Sequence, residues 1–164
     1  MVAWAPDAVP PLNLITLESE RIDLAEARQG LVLVHFFATW CEPCRGELHQ
    51  LDLLAQRFQG RALRILLVDV AEPPHRLRRY FSTNPVRFPV LLDTDRAATK
   101  AWGVEALPTT FVVSAGRCPL WRVNGEHDWS QPAGFASFES ALRHAEARTR
   151  DPSSNPCQPP GDDR

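Results

Sequence analysis

Lysine is nearly missing from this 164-residue chain: among its 18 basic residues, Lys100 is the only one. A GC-rich coding bias accounts for that, and no function attaches to it. Neither sign of charge dominates, because 18 basic residues meet 20 acidic ones for a formal net charge of −2. Such a balance offers no basic footprint for nucleic acid, so no nucleic-acid partner is expected. Long hydrophobic runs are missing as well. The longest, Leu31 to Val34 and on through Phe36, Phe37 and Ala38 around His35, falls far short of the ~20 residues that span a bilayer. Four cysteines are too few for a disulfide-stapled mini-domain. A chain of this length hides roughly 68–70% of its unfolded surface without staples or metal. No internal repeat is visible. The start, Met1-Val2-Ala3-Trp4-Ala5-Pro6-Asp7, has no basic or apolar region of a secretory signal. Two locations stay open: cytoplasmic, or periplasmic and otherwise extracytoplasmic with a signal or anchor outside this chain.

What is present reads as one domain between two unlike ends. Residues 1–11 hold three prolines and predict an extended arm. Residues 150–164 are rich in proline and have almost nothing to bury, which predicts a disordered tail. Within 12–149, Leu12–Ile15 and Arg21–Leu24 read as short edge strands. Leu31–Phe37 and Leu63–Val70 read as strands buried on both faces. Leu48, Leu51, Leu54, Ala55 and Phe58 fall at helical spacing before Gly60. Further helices are expected after Pro73-Pro74, over Thr94–Trp102, and from Pro132 to about Arg148. Phe88–Leu92 reads as a short extended piece. Thr110–Val113 and Leu120–Val123 predict an antiparallel hairpin. The pattern describes an α/β sandwich, a central mixed sheet with helices on both faces. The arginines Arg76, Arg78, Arg79 and Arg87 form either a solvated face or a docking site for an acidic partner.

Chemistry concentrates in Trp40-Cys41-Glu42-Pro43-Cys44, at the junction of a buried strand and an amphipathic helix. This spacing brings two sulfurs into the first helical turn, close enough to bond. The first sulfur meets unpaired N–H groups and the positive end of the helix dipole, which favours thiolate, the attacking species in disulfide exchange. The second, a turn further in, serves as the resolving thiol. A zinc site needs about four ligands, and Cys118 and Cys157 are isolated without a following His pair. No metal or cofactor is expected. A single-cysteine peroxidase needs a Pro and Thr placement before the cysteine that is absent here. Glu42, between the cysteines, raises the thiol pKa and makes the pair a better reductant, nearer about −270 mV than about −120 mV. Glu47 lies three residues after Cys44 on the same helical face. It is either a proton acceptor for the inner thiol or a solvated helix residue.

The chain resembles thioredoxin-fold proteins, specifically the TlpA/ResA-like branch that reduces extracytoplasmic disulfides. The likeness covers residues 9–149. It rests on Trp40-Cys41-Glu42-Pro43-Cys44, on Phe88-Pro89-Val90-Leu91-Leu92-Asp93, on Trp102-Gly103-Val104 with Leu107-Pro108-Thr109-Thr110-Phe111, and on Gly125-Glu126 followed by Trp129. The resemblance implies a thioredoxin-like three-layer sandwich with a cis Pro108 opposite the dithiol, where an ordinary trans turn is the alternative. It further implies a Leu107 backbone that pairs with substrate, and a Trp40 that rims the groove unless it is simply buried. An acid at Glu47 matches the branch. His35, six residues before Cys41, departs from it, because that position usually carries Asp or Asn. His35 is either a proton carrier or a core histidine satisfied by backbone.

These residues predict a protein-disulfide reductase, with Cys41 and Cys44 catalytic and Glu42, Pro43 and His35 tuning the redox pair. The implied partners are a protein disulfide substrate, apocytochrome c among the candidates, and a membrane thiol donor of electrons. A catalytically inert binding or chaperone module and a disulfide-forming oxidant are the rivals. Whether Cys118 and Cys157 pair is open, and a pairing would indicate an oxidising compartment.

Overall fold

The computed structural model describes residues 1–114, 116–149 and Cys157. Strands β1 (Val2–Ala3), β2 (Asn13–Ile15) and β3 (Arg21–Asp23) precede a 3-10 turn at Leu24–Glu26. There follow β4 (Leu31–Phe37), helix α1 (Glu42–Arg57), β5 (Leu63–Val70), α2 (Pro74–Thr83) and β6 (Val90–Asp93). The chain continues through α3 (Ala97–Ala101), β7 (Thr109–Ser114), β8 (Cys118–Asn124) and α4 (Pro132–Thr149). The main sheet has the order β1-β8-β7-β4-β5-β6, with β2 and β3 forming a separate two-stranded ribbon. β4 runs parallel to β5 and antiparallel to β7, so the sheet is mixed. No described helix is long and apolar enough to cross a membrane.

Alternation along β4 divides the core. Leu31, Leu33 and Phe37 point to one face, where they meet Leu48, Leu51 and Leu54 of α1, Leu77 of α2, and Phe138 and Leu142 of α4. Val32, Val34 and Phe36 point to the other, against Ala98 of α3, Trp102, and the N-terminal residues Val9, Leu12, Ile22 and Leu24. All seven β4 residues are buried. This explains an uninterrupted apolar run, since a strand covered on both faces has no solvent side to make polar. The result is a three-layer sandwich. Residues 1–11 do not lie apart from it: β1 pairs with β8, and Trp4 stacks on Trp102 at 5.6 Å.

One element boundary differs from the spacing-based expectation. The third helix covers only Ala97–Ala101, not Thr94–Trp102. Asp93 caps it from a distance by accepting from the N–H groups of Ala98 and Thr99. The intervening turn places Arg96 at a left-handed φ of 62°. The first helix starts at Glu42 with Cys41 as its N-cap, which sets both cysteines at the opening turn as their spacing predicts. Gly30 enters β4 with φ +71°, and a Cβ there would overlap Ala62. The Ala62 carbonyl accepts the Leu31 N–H at 2.8 Å, so only glycine allows this strand start.

Arg61, in the turn before β5, joins that turn to α4 through Glu139 and Glu146, each at 2.9 Å. Of the expected tail, only Cys157 lies among the described residues, and it is disulfide-bonded to Cys118 at the start of β8. The two isolated cysteines of the sequence are therefore a pair.

Candidate active site

The β4 strand delivers the chain to its carboxyl end, where Ala38–Trp40 turn into α1. The Cys41 N–H donates to the Ala38 carbonyl at 3.2 Å, which closes the turn. Cys41 is the N-cap of α1, in extended conformation, and its sulfur accepts the Cys44 N–H at 3.3 Å. A sulfur in that place satisfies an orphan donor of the first turn and sits on the positive end of the helix dipole. Pro43 fits the first turn without losing a hydrogen bond. Cys41 and Cys44 are disulfide-bonded with their Cα atoms 5.3 Å apart. Cys41 keeps a sliver of exposure at 6%, whereas Cys44 has none. The outer sulfur is thus the one a partner reaches, and the inner one is available only from within.

Around this pair the surface is open. Trp40 is 60% exposed, so the alternative of a buried structural aromatic does not apply. Glu42 and Pro43 are exposed beside it. The Leu107–Pro108 peptide bond is cis. Thr109 pairs with Phe36 in the sheet register, which sets Pro108 at the same end of the sheet as the dithiol. Leu107 is half-buried between both halves of the core. Its N–H and C=O make no hydrogen bond among the described residues, which leaves a backbone donor and acceptor at the rim.

Beneath the dithiol lies a buried polar set. Glu47 is 1% exposed, which removes the reading of a solvated helix residue. Its two oxygens accept the His127 N–H and the Trp129 indole N–H, both at 2.7 Å. Burial raises the Glu47 pKa, although these two donors act in the opposite direction. His35 is fully buried. Its Nδ1 lies 2.8 Å from the Thr110 hydroxyl and 3.8 Å from Glu47 Oε2. Nε2 has no hydrogen-bond partner among the described residues. Burial lowers the His35 pKa to about 3, so the ring is neutral at working pH. The bland alternative of a histidine satisfied by backbone is replaced by one held by a side chain of the neighbouring strand.

A second acidic set supports the loop from the other side. The Thr39 N–H donates to Glu72 Oε1, and its hydroxyl donates to Oε2 at 2.7 Å. The Glu72 N–H in turn donates to Asp69 Oδ2 at 2.9 Å. Burial is the main cause that raises the Asp69 pKa to about 8. Sequence reasoning missed Thr39, Asp69, Glu72, Thr110 and Trp129 as site supports. One signal was available: Asp69 interrupts the apolar run of β5, Ile65-Leu66-Leu67-Val68-Asp69-Val70, and a carboxyl in a doubly covered strand needs a reason. Among the described residues no group of three or more His, Cys, Asp or Glu is arranged to hold a metal ion.

Fold and site together define a thioredoxin-like protein with a dithiol at a helix N-terminus. The AhpC/TSA family model matches residues 5–117, and the chain belongs to that family. Over 105 residues it is 33% identical to the thiol-disulfide oxidoreductase ResA of Bacillus subtilis, a stretch covering 64% of this chain and 59% of that relative. Among solved structures it is similar to StoA of Bacillus subtilis, with TM-score 0.67, 21% identity, and 79% and 98% of the two chains covered. A thiol-disulfide oxidoreductase of Bacteroides fragilis superposes with TM-score 0.70 and 18% identity, covering 83% and 100%.

Proposed function

We propose that this chain is a thiol–disulfide oxidoreductase that reduces disulfides in other proteins. The observation that carries the reading is Cys41 as the N-cap of α1, its sulfur facing the Cys44 N–H and bonded to the Cys44 sulfur. In the reduced enzyme the Cys41 thiolate attacks one sulfur of a substrate disulfide. That S–S bond breaks, the departing sulfur takes a proton, and a mixed disulfide forms. Cys44 then loses its proton and attacks Cys41, which releases the second substrate thiol. Two electrons have passed to the substrate, and a thiol donor restores the enzyme.

Glu47, one turn beyond Cys44 on α1 and held in place by Trp129 and His127, is assigned the proton of the inner thiol. His35, neutral and hydrogen-bonded to Thr110, lies 3.8 Å from that carboxyl and does not carry charge. Trp40, Leu107 and Pro108 form the substrate rim, with the free Leu107 backbone matching an extended peptide. Glu42, next to the attacking sulfur, disfavours the thiolate and makes the pair more strongly reducing.

The Cys118–Cys157 disulfide supports an extracytoplasmic location, since such bonds persist in oxidising compartments. Apocytochrome c as substrate and a membrane thiol protein as donor are the finer readings that the family likeness favours. The test is insulin reduction with dithiothreitol, comparing wild type with Cys41→Ser. Wild type accelerates precipitation and the variant does not. Equal rates would leave a binding module instead. In Cys44→Ser the mixed disulfide accumulates and identifies the substrate on non-reducing gels. A midpoint potential well above about −200 mV would assign an oxidant.

A further inference from the structure

Four arginines stand close in sequence after β5, and the fold separates them. Arg78 donates to the Leu17 carbonyl at 3.3 Å, and Arg87 pairs with Asp52 at 3.1 Å. Arg76 and Arg79, three residues apart on α2, instead line a cleft of about 320 Å³ with Thr39, Tyr80, Ser82 and Thr83. Thr39 is two residues from Cys41 and is fixed by both oxygens of Glu72. The cleft therefore opens from the loop that carries the attacking sulfur.

Its charge is one-sided. Arg79 is exposed and makes no ion pair among the described residues. Arg76 is 55% exposed at its side chain and lies 3.5 Å from Glu72, a carboxylate already occupied by Thr39. No carboxylate is among the residues that line the cleft. A chain of net charge −2 thus sets two arginines, Arg76 and Arg79, around one depression that Thr39 also lines.

We propose that this cleft between the Cys41 loop and α2 receives an acidic segment of the disulfide-bearing protein that the dithiol reduces. The inference rests on the reductase reading and adds the charge of the partner to it. A substrate seated along Trp40, Leu107 and Pro108 with its sulfur at Cys41 has its flanking chain within reach of the cleft, because Thr39 lines it two residues before Cys41. Asp or Glu side chains there meet guanidinium forks suited to bidentate carboxylate contacts. Attraction of this kind acts on encounter, raising association rates by about tenfold or more at low salt.

The test uses the full chain in reduced form and two peptides with the same intramolecular disulfide, one flanked by Asp and Glu, the other by Asn and Gln. The second-order rate of peptide reduction is measured at low and high ionic strength. Wild type is expected to reduce the acidic peptide about tenfold faster at low salt. That ratio should fall to near one at about 1 M salt, where the Debye length is about 3 Å. Arg79→Gln should narrow the ratio and Arg79→Glu should invert it, while a general folding defect would slow both peptides alike and leave the ratio intact. A wild-type ratio near one at low salt overturns the proposal without any variant having to fold. So does a ratio that survives both substitutions. If neither peptide is reduced, the reductase reading itself is overturned, and this inference goes with it.

Discussion

Glu47 shows how one side chain acquires a role from its surroundings. Its carboxyl is sealed under the dithiol, and burial makes it hold its proton to a higher pH than the ordinary glutamate value of 4.5. A protonated Glu47 cannot accept the proton of Cys44. The turnover rate should therefore fall as the pH drops through that raised value. Glu47→Gln is expected to lose this acid-side limb and to slow insulin reduction at pH 7 by about tenfold or more. The check is the pH profile of kcat/KM for both proteins, because a purely structural loss would scale the profile without removing its limb. Cys41, Cys44 and Glu47 are legible in the sequence because neighbours along one helix set their geometry, whereas Pro108 is expected from the family resemblance and is placed by the pairing of Thr109 with Phe36. The partners that define their environment are not legible. Trp129 lies 82 positions from Glu47, Thr110 lies 75 from His35, and Glu72 lies 33 from Thr39. Contacts of that span are fixed by strand order and loop path, which no local spacing encodes.

Among the elements, β4 and β5 are readable to the residue, because a doubly buried strand is a bounded apolar run with few competing interpretations. Helix α3 is the opposite case. Thr94–Trp102 carries helical spacing, yet Asp93 caps the chain only at Ala98 and Thr99, so side-chain hydrogen bonding overrides the pattern. The entry to β4 depends on Gly30, where positive φ and the approach of Ala62 coincide. Gly30→Ala combines a disfavoured backbone with a steric overlap against the sheet. It is expected to cost roughly 1–3 kcal/mol. Urea denaturation should show this as a lower midpoint with an unchanged slope, since the surface buried by the rest of the fold is the same.

The whole molecule carries more buried acid than its size requires. Asp69, Glu72 and Asp93 lie at 1%, 4% and 0% exposure, and Glu47 adds a fourth on the far side of the site. For Asp69 the linkage has a definite sign. Its native pKa is about 8 against an ordinary 3.8, so between those values the folded state binds more protons than the unfolded one. Its contribution to stability is full below the ordinary value and is lost as the pH rises through about 8. Asp69→Asn imitates the protonated acid and should lack this dependence. Denaturant midpoints taken from pH 5 to 9 should decline more steeply for wild type than for the variant, and parallel curves would show that Asp69 does not titrate in this way. The global arrangement was only partly readable. The sequence indicates a mixed sheet between helices, but not that the opening residues belong to it, because two-residue pairings such as Val2–Ala3 with β8 leave no periodic trace.

Those opening residues bear on how other chains can attach. At one margin of the sheet, Val2 and Ala3 cover β8. At the opposite margin, Thr16 forms a bridge to Leu91, and the Leu17 N–H donates to the Val90 carbonyl at 2.8 Å. The N-terminal stretch thereby clasps both selvedges, where bare backbone would otherwise invite strand addition and aggregation. A foreign polypeptide that approaches either margin meets this stretch first, whereas at the reactive end the Leu107 backbone stands open beside the sulfur.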